Sequence, residues 1–357
     1  MSITLKTQAL KEMVSKANAC ASYSKTQPIT NLMCIKAHKK DVTIITTDKA
    51  NYLYVSGKAV KNDEEDFYAV IYAEQFMKLA PKITSEEVTL DLTENAFVVT
   101  GNGKYSIGIP LENGEMVEYP NPLKDVKFKK DGFISADTVK SIIRTVKPSI
   151  PVKTERPVLT NYYVAGSVIG SDGCMIAELN EAIFNGKPVL LSSRLVDLLG
   201  LLEGEISYTI TKKCIVFSDE NSILYGDFTS DIADYYVKET VDFLASEFSY
   251  SAKLNKEKLL SAIDRVMIFI DGGDKRALSL EFSPGELSIT TVRAGSVETV
   301  ECTESPQATF NCYINADMFI EQLKAYEGEV VTIMFGLDYA IELSGTNTKQ
   351  IISLMSV

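Results

Sequence analysis

The sequence predicts an α+β fold in which one unit, two helices packed on antiparallel sheets, is repeated three times. The first observation behind this prediction is an amphipathic helix pattern, followed by strand-like segments, that recurs about every 115 to 120 residues. The second is a turn, because KTQPITN at residues 25–31 is nearly repeated as KTERPVLTN at residues 153–161. The third is length, since 357 residues exceed the roughly 250 to 300 at which single cores stop growing.

Each third of the chain opens with apolar residues at helical spacing. The apolar positions of the three opening helices are Leu10, Met13, Val14 and Ala17, then Val139, Ile142, Ile143 and Val146, then Leu259, Ile263, Val266 and Ile270. In the first two sets the spacing is i, i+3, i+4, i+7, which places the apolar side chains on one helix face. Ser135 or Asp137 can cap the second of these helices, and Pro148 can end it.

Strand patterns and a second helix follow each opening helix. Val, Ile, Thr and Tyr recur at period two in segments such as IKAHKKDVTIITTD and ALSLEFSPGELSITTV, which predicts antiparallel hairpins. The second helices are predicted in YAEQFMKLAPKI, SSRLVDLLGLLEG and INADMFIEQLKAYEG, and three more strands close each copy. The repeated turn falls where the opening helix gives way to the first long strand, since proline ends the helix. Seams are expected at 118–125 and 234–247, so the predicted domains are 1–122, 123–245 and 246–357.

The composition is that of an ordinary globular protein of a reducing compartment. Hydrophobic residues make up 45% of the chain and charged residues 24%, and no run of about 18 apolar residues occurs. The N-terminus MSITLKTQALKEM lacks the apolar core of a signal peptide, so the expected location is the cytoplasm. The six cysteines show no CxxC spacing and lie mostly inside apolar runs, which predicts buried free thiols.

The net charge of −12 conceals a segregation of charge along the chain. Taken alone it argues against a nucleic-acid partner, because phosphate contacts need Lys and Arg. The three opening helices with their flanks, however, carry twelve basic and four acidic residues. In the second of them Lys140, Arg144 and Lys147 form a basic stripe at i, i+4, i+7. A lysine on a helix is commonly just solvated, but the same bias in three equivalent helices favours a surface that faces phosphates.

Several short motifs occur in an order that is typical of one family. They are TTD (46–48), EYPN (118–121), YYVAG (162–166), SDG (171–173), DYY (234–236) and the apolar C-terminus IISLMSV (351–357). With these motifs and its three repeats, the chain resembles the bacterial-type DNA polymerase III sliding clamp, the β subunit. The resemblance implies three DNA-clamp domains per chain and a head-to-tail homodimer that closes as a six-domain ring, with helices lining the hole. Such a ring should attract the DNA backbone without reading bases.

The resemblance also implies partners and site residues. The ring would encircle double-stranded DNA, be placed there by a clamp loader, and tether the replicative DNA polymerase through a peptide cleft between domains two and three. The residues expected to contact DNA are Lys25, Lys140, Arg144, Lys147 and Lys153. The residues expected around the cleft are Val164, Ser171, Gly173, Ile176, Val237, Asn315, Met318, Ile352, Leu354 and Met355. The residues expected at the dimer interface are Tyr105, Phe269 and Ile270.

Two departures from the family pattern bear on the peptide cleft. Many relatives have His-Arg where this chain has Cys174-Met175, and a Pro followed by Arg where this chain has Leu354 and Ser356. The partner peptides are therefore expected to differ from the usual ones. Methionine suits a surface that meets several partners, because its side chain adapts its shape.

No residue pattern for catalysis or metal binding stands out. The only histidine, His38, is expected to be exposed at a strand end, which excludes histidine triads and histidine metal sites. GNGKYSIG (101–108) matches no phosphate-binding motif, and DGGD (271–274) lacks the later Glu of a calcium loop. We therefore expect a non-enzymatic protein that needs neither cofactor nor metal.

Two alternatives from other functional classes are open at this point. One is an acidic scaffold or nucleic-acid mimic that binds a basic protein and never encircles DNA. The other is an enzyme whose carboxylates, such as Asp48 and Asp172, act on a small substrate. In the clamp interpretation these two aspartates close turns through Asx-type hydrogen bonds.

Overall fold

A computed structural model describes residues 1–235, 237–270, 276–292, 295–306 and 308–356. Tyr236 of the DYY motif, the DGGD segment at 271–274 and Val357 of the C-terminal motif lie outside the described residues. Over the described ranges the element order repeats three times: a short strand, a helix, four or five strands, a second helix and three strands. A short hairpin follows in the first repeat, and a further helix follows in the second. The mixed helix and sheet fold predicted from the sequence is therefore confirmed.

The helices of the described ranges include all six that the sequence predicts. They are α1 (Thr7–Asn18), α2 (Ala73–Leu79), α3 (Ala136–Val146), α4 (Ser193–Leu199), α5 (Val237–Leu244), α6 (Lys256–Met267) and α7 (Ala316–Ala325). Helix α5 is additional, and it lies in the segment 234–247 that was expected to be an irregular seam. None of the described helices is long and apolar enough to cross a membrane.

The strands divide by thirds of the chain. The first third contains β1 (Ser2–Lys6), β2 (Leu32–His38), β3 (Asp41–Thr47), β4 (Asn51–Lys58), β5 (Lys61–Asn62), β6 (Asp66–Tyr72), β7 (Glu87–Leu92), β8 (Ala96–Thr100), β9 (Lys104–Gly108), β10 (Leu111–Glu112) and β11 (Glu115–Met116). The second contains β12 (Gly132–Ser135), β13 (Asn161–Val164), β14 (Val168–Ser171), β15 (Met175–Leu179), β16 (Val189–Ser192), β17 (Glu205–Ile210), β18 (Cys214–Ser218) and β19 (Ser222–Asp227). The last contains β20 (Tyr250–Asn255), β21 (Ala277–Ser283), β22 (Glu286–Thr291), β23 (Val297–Glu304), β24 (Phe310–Asn315), β25 (Val330–Phe335), β26 (Ala340–Ser344) and β27 (Thr348–Ser353).

A short strand before each opening helix was not predicted. In β1 the side chains of Ile3 and Leu5 are buried while their neighbours are less so, which is the alternation of a half-buried strand. Strands β12 and β20 hold the same position before α3 and α6. Each of these strands is only four to six residues long, so its period-two pattern merges with the helical pattern that follows.

The strands of the described residues form three large sheets and a small hairpin of β10 and β11. One sheet has the order β5-β1-β7-β8-β9, and a second has the order β12-β17-β18-β19-β4-β3-β2-β6. The third runs β16-β13-β14-β15-β27-β26-β25-β20-β23-β22-β21-β24. The second repeat therefore contributes to two different sheets. Its strand β19 pairs with β4 of the first repeat, and its strand β15 pairs with β27 of the third.

Two compact units follow from this pairing. The first comprises residues 1–139 and 194–229, and the second comprises residues 140–193 and 230–357. In the second unit the core lies between α6, α7 and the sheet, and Phe319, Phe282 and Phe335 are fully buried there. In the first unit Tyr52, Tyr225 and Tyr119 share a buried cluster, and the rings of Tyr52 and Tyr225 meet edge to face at 5.9 Å.

The repeated turn has the same structure in both copies. Pro28–Asn31 and Pro157–Thr160 each form a single 3₁₀ turn directly before β2 and β13. The Thr30 hydroxyl donates to the Gln27 carbonyl at 2.8 Å, and the Thr160 hydroxyl donates to the Pro157 carbonyl at 2.7 Å. The two sequence stretches therefore mark the same point of one folding unit.

Candidate nucleic-acid and partner surfaces

The basic residues expected to contact DNA are all exposed. Lys140 and Arg144 lie on α3, and Lys147 begins the 3₁₀ turn Lys147–Ser149 that follows it. Lys25 and Lys153 lie in the two copies of the turn after the opening helix. The apolar side of α3 is buried through Val139, Ile142 and Val146, which leaves the basic stripe on the outer side of the helix.

Ion pairs reduce the positive charge that the opening helices offer. Arg144 Nη2 lies 3.1 Å from Glu327 Oε2, and both side chains are exposed. On α1 the amine of Lys16 lies 3.2 Å from Asp219, whose side chain is only 4% exposed. On α6 Arg265 forms a bidentate pair with Glu298 at 2.8 and 2.7 Å. The net charge of a helix in the sequence therefore overstates the charge available to a phosphate.

The residues expected around the peptide cleft divide by exposure. Val164, Ser171, Ile176 and Ile352 are buried in strands β13, β14, β15 and β27. The other members are partly or fully exposed, and they are Gly173, Val237, Asn315, Met318, Leu354 and Met355. The buried residues can form the layer beneath a cleft. Only the exposed residues can contact a bound peptide without a rearrangement of the structure.

Several of these residues have clear structural roles. Gly173 has φ +94, in the left-handed region that favours glycine, and its N–H donates to Ser171 Oγ at 3.1 Å. Asn315 caps α7, because its side-chain oxygen accepts from the backbone N–H of Met318 at 3.1 Å. Both roles fix the local backbone around the predicted cleft.

The C-terminal residues are held by backbone hydrogen bonds to three separate segments. Ser353 N–H donates to the Cys174 carbonyl at 2.9 Å, Leu354 N–H to Tyr339 at 2.8 Å, and Met355 N–H to Tyr313 at 2.8 Å. The Leu354 side chain packs with Met318 against the same buried cluster that contains Ile352. The structure therefore brings together Met318, Ile352 and Leu354, three of the residues expected around the cleft, in one apolar cluster.

Ile176 and Val237 lie in two further apolar clusters. Ile176 packs with Ile351 and Leu244, whereas Val237 packs against Leu159, Leu190 and Tyr235. Tyr163 contacts both clusters, and its ring stacks on that of Tyr235 at 5.2 Å. YYVAG and DYY are among the motifs typical of the family, but these two tyrosines are not among the residues expected around the cleft. Tyrosines occur close to Val164 and Val237, which were both expected around the cleft, and this repetition in the sequence could have identified Tyr163 and Tyr235.

The residues expected at the dimer interface lie at two places. Tyr105 is on β9, the edge strand of its sheet, and is 39% exposed. Phe269, just after α6, is 58% exposed, whereas Ile270 is partly buried against the core of its own unit. Ile268 is 76% exposed and was not selected from the sequence. The exposed apolar pair after α6 is thus Ile268 and Phe269.

The two aspartates considered as catalytic candidates close turns. Asp48 Oδ1 accepts from Asn51 N–H at 2.8 Å, and its Oδ2 accepts from Arg194 Nε at 3.1 Å. Asp172 Oδ1 accepts from the N–H groups of Cys174 and Met175 at 2.7 and 2.6 Å. The predicted Asx-type hydrogen bonds are confirmed.

The remaining reactive side chains occupy structural positions. His38 is exposed at the end of β2, as expected, and pairs with Asp66 at 2.8 Å. Five of the six cysteines are buried free thiols, but Cys174 is exposed. Burial raises the pKa of Cys20, Cys34 and Cys312 to about 12, which keeps these thiols protonated and unreactive. Within the described ranges no group of three or more His, Cys, Asp or Glu side chains is arranged to hold a metal ion.

Comparison with known proteins supports the resemblance. Residues 1–121 match the model of the DNA polymerase III beta subunit, N-terminal domain. No curated protein sequence matches the chain significantly. The fold is similar to that of the beta subunit from Streptococcus pyogenes, with a TM-score of 0.88, 15% identity and 100% of both chains covered.

Two further solved structures have the same fold. The sliding clamp from Bacillus subtilis has a TM-score of 0.86 and 18% identity, with 100% of this chain and 99% of that chain covered. The beta clamp from Helicobacter pylori, bound to a DNA ligase peptide, has a TM-score of 0.81 and 13% identity, with 100% of both chains covered. The resemblance to bacterial sliding clamps is thereby confirmed: the whole chain has the clamp fold, and residues 1–121 match the model of the family's N-terminal domain.

Proposed function

We propose that this chain is a DNA sliding clamp, a non-catalytic processivity factor that encircles duplex DNA in the cytoplasm and tethers the replicative polymerase. The observation that carries the proposal is the clamp fold over the full length of the chain, joined to a family match in residues 1–121. A ring without chemistry of its own acts by raising the effective concentration of its partners at DNA. We assign its three clamp domains to residues 1–122, 123–245 and 246–357.

The distribution of charge supports a hole that accepts DNA of any sequence. Lys140, Arg144 and Lys147 lie exposed along α3 and the turn after it, and Lys25 and Lys153 lie in equivalent turns. Contacts to phosphates hold the duplex without reading its bases, and the remaining negative charge of the chain discourages DNA from binding elsewhere. We therefore assign these five residues to the DNA-facing surface of the ring.

The apolar residues at the C-terminus support a site for partner peptides. The Helicobacter pylori relative is bound to a DNA ligase peptide, and we propose that this chain likewise binds peptides of its polymerase and clamp loader. Met318, Leu354 and Met355 are partly exposed and apolar, and the tail that carries two of them is fixed by backbone hydrogen bonds. A preformed apolar surface of this kind lowers the entropic cost of binding a short peptide.

Topological retention on DNA tests the proposal. The protein should be placed on nicked circular DNA by the clamp loader of its source cell and should co-elute with the circle in gel filtration. Cutting the circle with one restriction enzyme should release the protein, because a ring slides off a free end. An acidic scaffold would not bind the circle at all, and a protein that remains on the linear DNA would contradict encirclement.

A further inference from the structure

A basic and aromatic segment directly after the first seam has no role in the clamp assignment. Residues 127–133 read KFKKDGF, so three lysines and two phenylalanines occur within seven positions of an acidic chain. Interleaved cations and aromatic rings are the composition of surfaces that bind single-stranded nucleic acid. The composition alone does not show a binding surface, because phenylalanines in such a segment could equally be buried in a core.

The fold places this segment at the free edge of a sheet. Strand β12 is the edge strand and pairs with β17, with Phe133 opposite Ser207. The pairing continues before β12, since Asp131 N–H donates to the Tyr208 carbonyl at 2.9 Å and Thr209 Oγ1 donates to the Lys129 carbonyl at 3.0 Å. Because the two segments are antiparallel, the turn between β17 and β18 lies at the same end as Lys127. That turn carries two more lysines.

We call this surface the Lys-Phe patch. It consists of Lys127, Phe128, Lys129, Lys130, Phe133, Lys212 and Lys213, all in the first compact unit. Phe128 is 56% exposed and Phe133 is 54% exposed. All five lysines are exposed, and none of them forms an ion pair with a described residue. The Lys130 amine lies 5.7 Å from the centroid of the Phe133 ring.

Acidic groups of the same two segments leave the positive charge largely uncompensated. Asp131 Oδ2 accepts from Ile210 N–H at 2.8 Å and so serves the strand pairing. Glu205 lies opposite Ser135, at the far end of β12 from Lys129 and Lys130. The patch therefore offers five exposed lysines and two exposed phenylalanine side chains.

We propose that the Lys-Phe patch binds single-stranded nucleic acid, with the lysines on the phosphates and the two phenylalanines stacked on unpaired bases. Duplex DNA fits less well, because its base faces are covered by stacking within the helix. An acidic peptide would use the lysines but would leave both rings exposed to water. The proposal goes beyond the clamp function, since the patch lies on a strand edge and binding does not require ring closure.

Fluorescence anisotropy with a labelled single-stranded oligo(dT) of about twelve nucleotides tests the proposal. The wild-type protein should bind this probe in the absence of any clamp loader. Phe128→Ala with Phe133→Ala should weaken binding by roughly tenfold or more, because stacking on an aromatic side chain contributes about 1 to 3 kcal/mol per base. Phe128→Tyr with Phe133→Tyr should restore it, since a tyrosine ring stacks equally well.

A charge variant separates the phosphate contacts from the stacking. K127E with K129E and K130E should abolish tight binding, and it should reduce the dependence of log affinity on log salt by about 2, because each phosphate contact with a single strand contributes about 0.7. The matched control is K40E with K82E and K104E, which makes the same charge change at three exposed lysines of the same unit. This control should bind oligo(dT) almost as well as the wild type.

The outcomes distinguish this proposal from the clamp function. K140E with R144E and K147E should impair retention on circular DNA and leave oligo(dT) binding intact. If the alanine variant binds oligo(dT) as well as the wild type does, the phenylalanines do not stack on bases. The stacking role would also be overturned if a polyglutamate peptide displaces the oligonucleotide and binds both proteins with equal affinity. If the wild-type protein is retained on circular DNA but does not bind oligo(dT), the proposal for the Lys-Phe patch is wrong and the clamp function still stands.

Discussion

Glu342 is a buried carboxylate whose environment disfavours its charge. It lies in β26, is only 4% exposed, and has the amine of Lys349 at 3.8 Å as its ion-pair partner. Burial raises the pKa of this carboxyl above its ordinary value of 4.5, although Lys349 opposes the shift. Because the pKa is raised by folding, the ionised carboxylate lowers the stability of the folded state above that pKa.

We therefore expect Glu342→Gln to stabilise the protein near neutral pH. The gain should narrow as the pH falls towards 4.5, since the wild-type carboxyl then binds a proton in the folded state and its penalty disappears. Thermal unfolding followed by circular dichroism at several pH values measures both effects. Glu281→Gln, at an exposed position of β21, is the matched control and should change little. A Glu342→Gln protein that melts lower than the wild type at neutral pH would contradict this account.

At the scale of elements, α3 carries the basic stripe that we propose to face DNA. We expect K140E with R144E and K147E to reduce loading on nicked circular DNA by at least tenfold, because three phosphate contacts become repulsive. The fold should persist, since these side chains lie opposite the buried face of the helix. The reduction should be measured beside K40E with K82E and K187E, which reverses the same number of charges at exposed lysines outside α3 and outside β9.

The ion pair of Arg144 with Glu327 provides a second test of the stripe. If the pair masks Arg144, then Glu327→Gln should strengthen DNA loading slightly, because an exposed pair contributes at most about 1 kcal/mol. If K140E with R144E and K147E loads on DNA as well as its control does, the basic stripe is only a solvated helix face.

The C-terminal tail is the second element with a separable role. Deleting residues 354–357 removes Leu354 and Met355 but leaves β27 intact, because that strand ends at Ser353. We expect the truncated protein to form the ring and remain on circular DNA while losing stimulation of the polymerase. Polymerase extension assays on a primed circle measure the loss. A shortened chain that stimulates as well as the full chain would place the recruiting site elsewhere.

At the scale of the whole molecule, we propose that two chains close the ring. Ile268 and Phe269 are exposed apolar side chains, and exposed apolar patches commonly mark contacts with another chain. We expect Ile268→Ser with Phe269→Ser to give a folded monomer of 39.4 kDa in light scattering, whereas the wild type should give about twice that mass. Val152→Ser, at a side chain that is 95% exposed, is the control and should remain dimeric.

This test changes Ile268 and leaves Ile270, which the resemblance placed at the dimer interface, unchanged. Ile270 packs on the core of its own unit, so a polar residue there would lower stability as well as remove a contact. A dimer that persists after both Ile268 and Phe269 are changed would exclude this segment from the interface.

Local features of the protein could be predicted from its sequence. The helical spacing of Leu10, Met13 and Val14 predicts α1, and KTQPITN and KTERPVLTN predict the same turn twice. The turn-closing roles of Asp48 and Asp172 could be predicted as well. These features depend on hydrogen bonds between residues two to four positions apart, so their patterns are contained in short windows.

Only the tertiary structure decided which strands share a sheet and which charges remain available. The pairing of β15 with β27 joins the second repeat to the third, and the contacts of Lys16 with Asp219 and of Arg144 with Glu327 join distant segments. The exposure of Ile268 and the edge position of the Lys-Phe patch depend on the same long-range packing. An amphipathic pattern specifies that an element buries one of its faces, but it does not specify which other element covers that face. Many pairings would bury the same apolar residues, and the packing of the whole core determines which pairing forms.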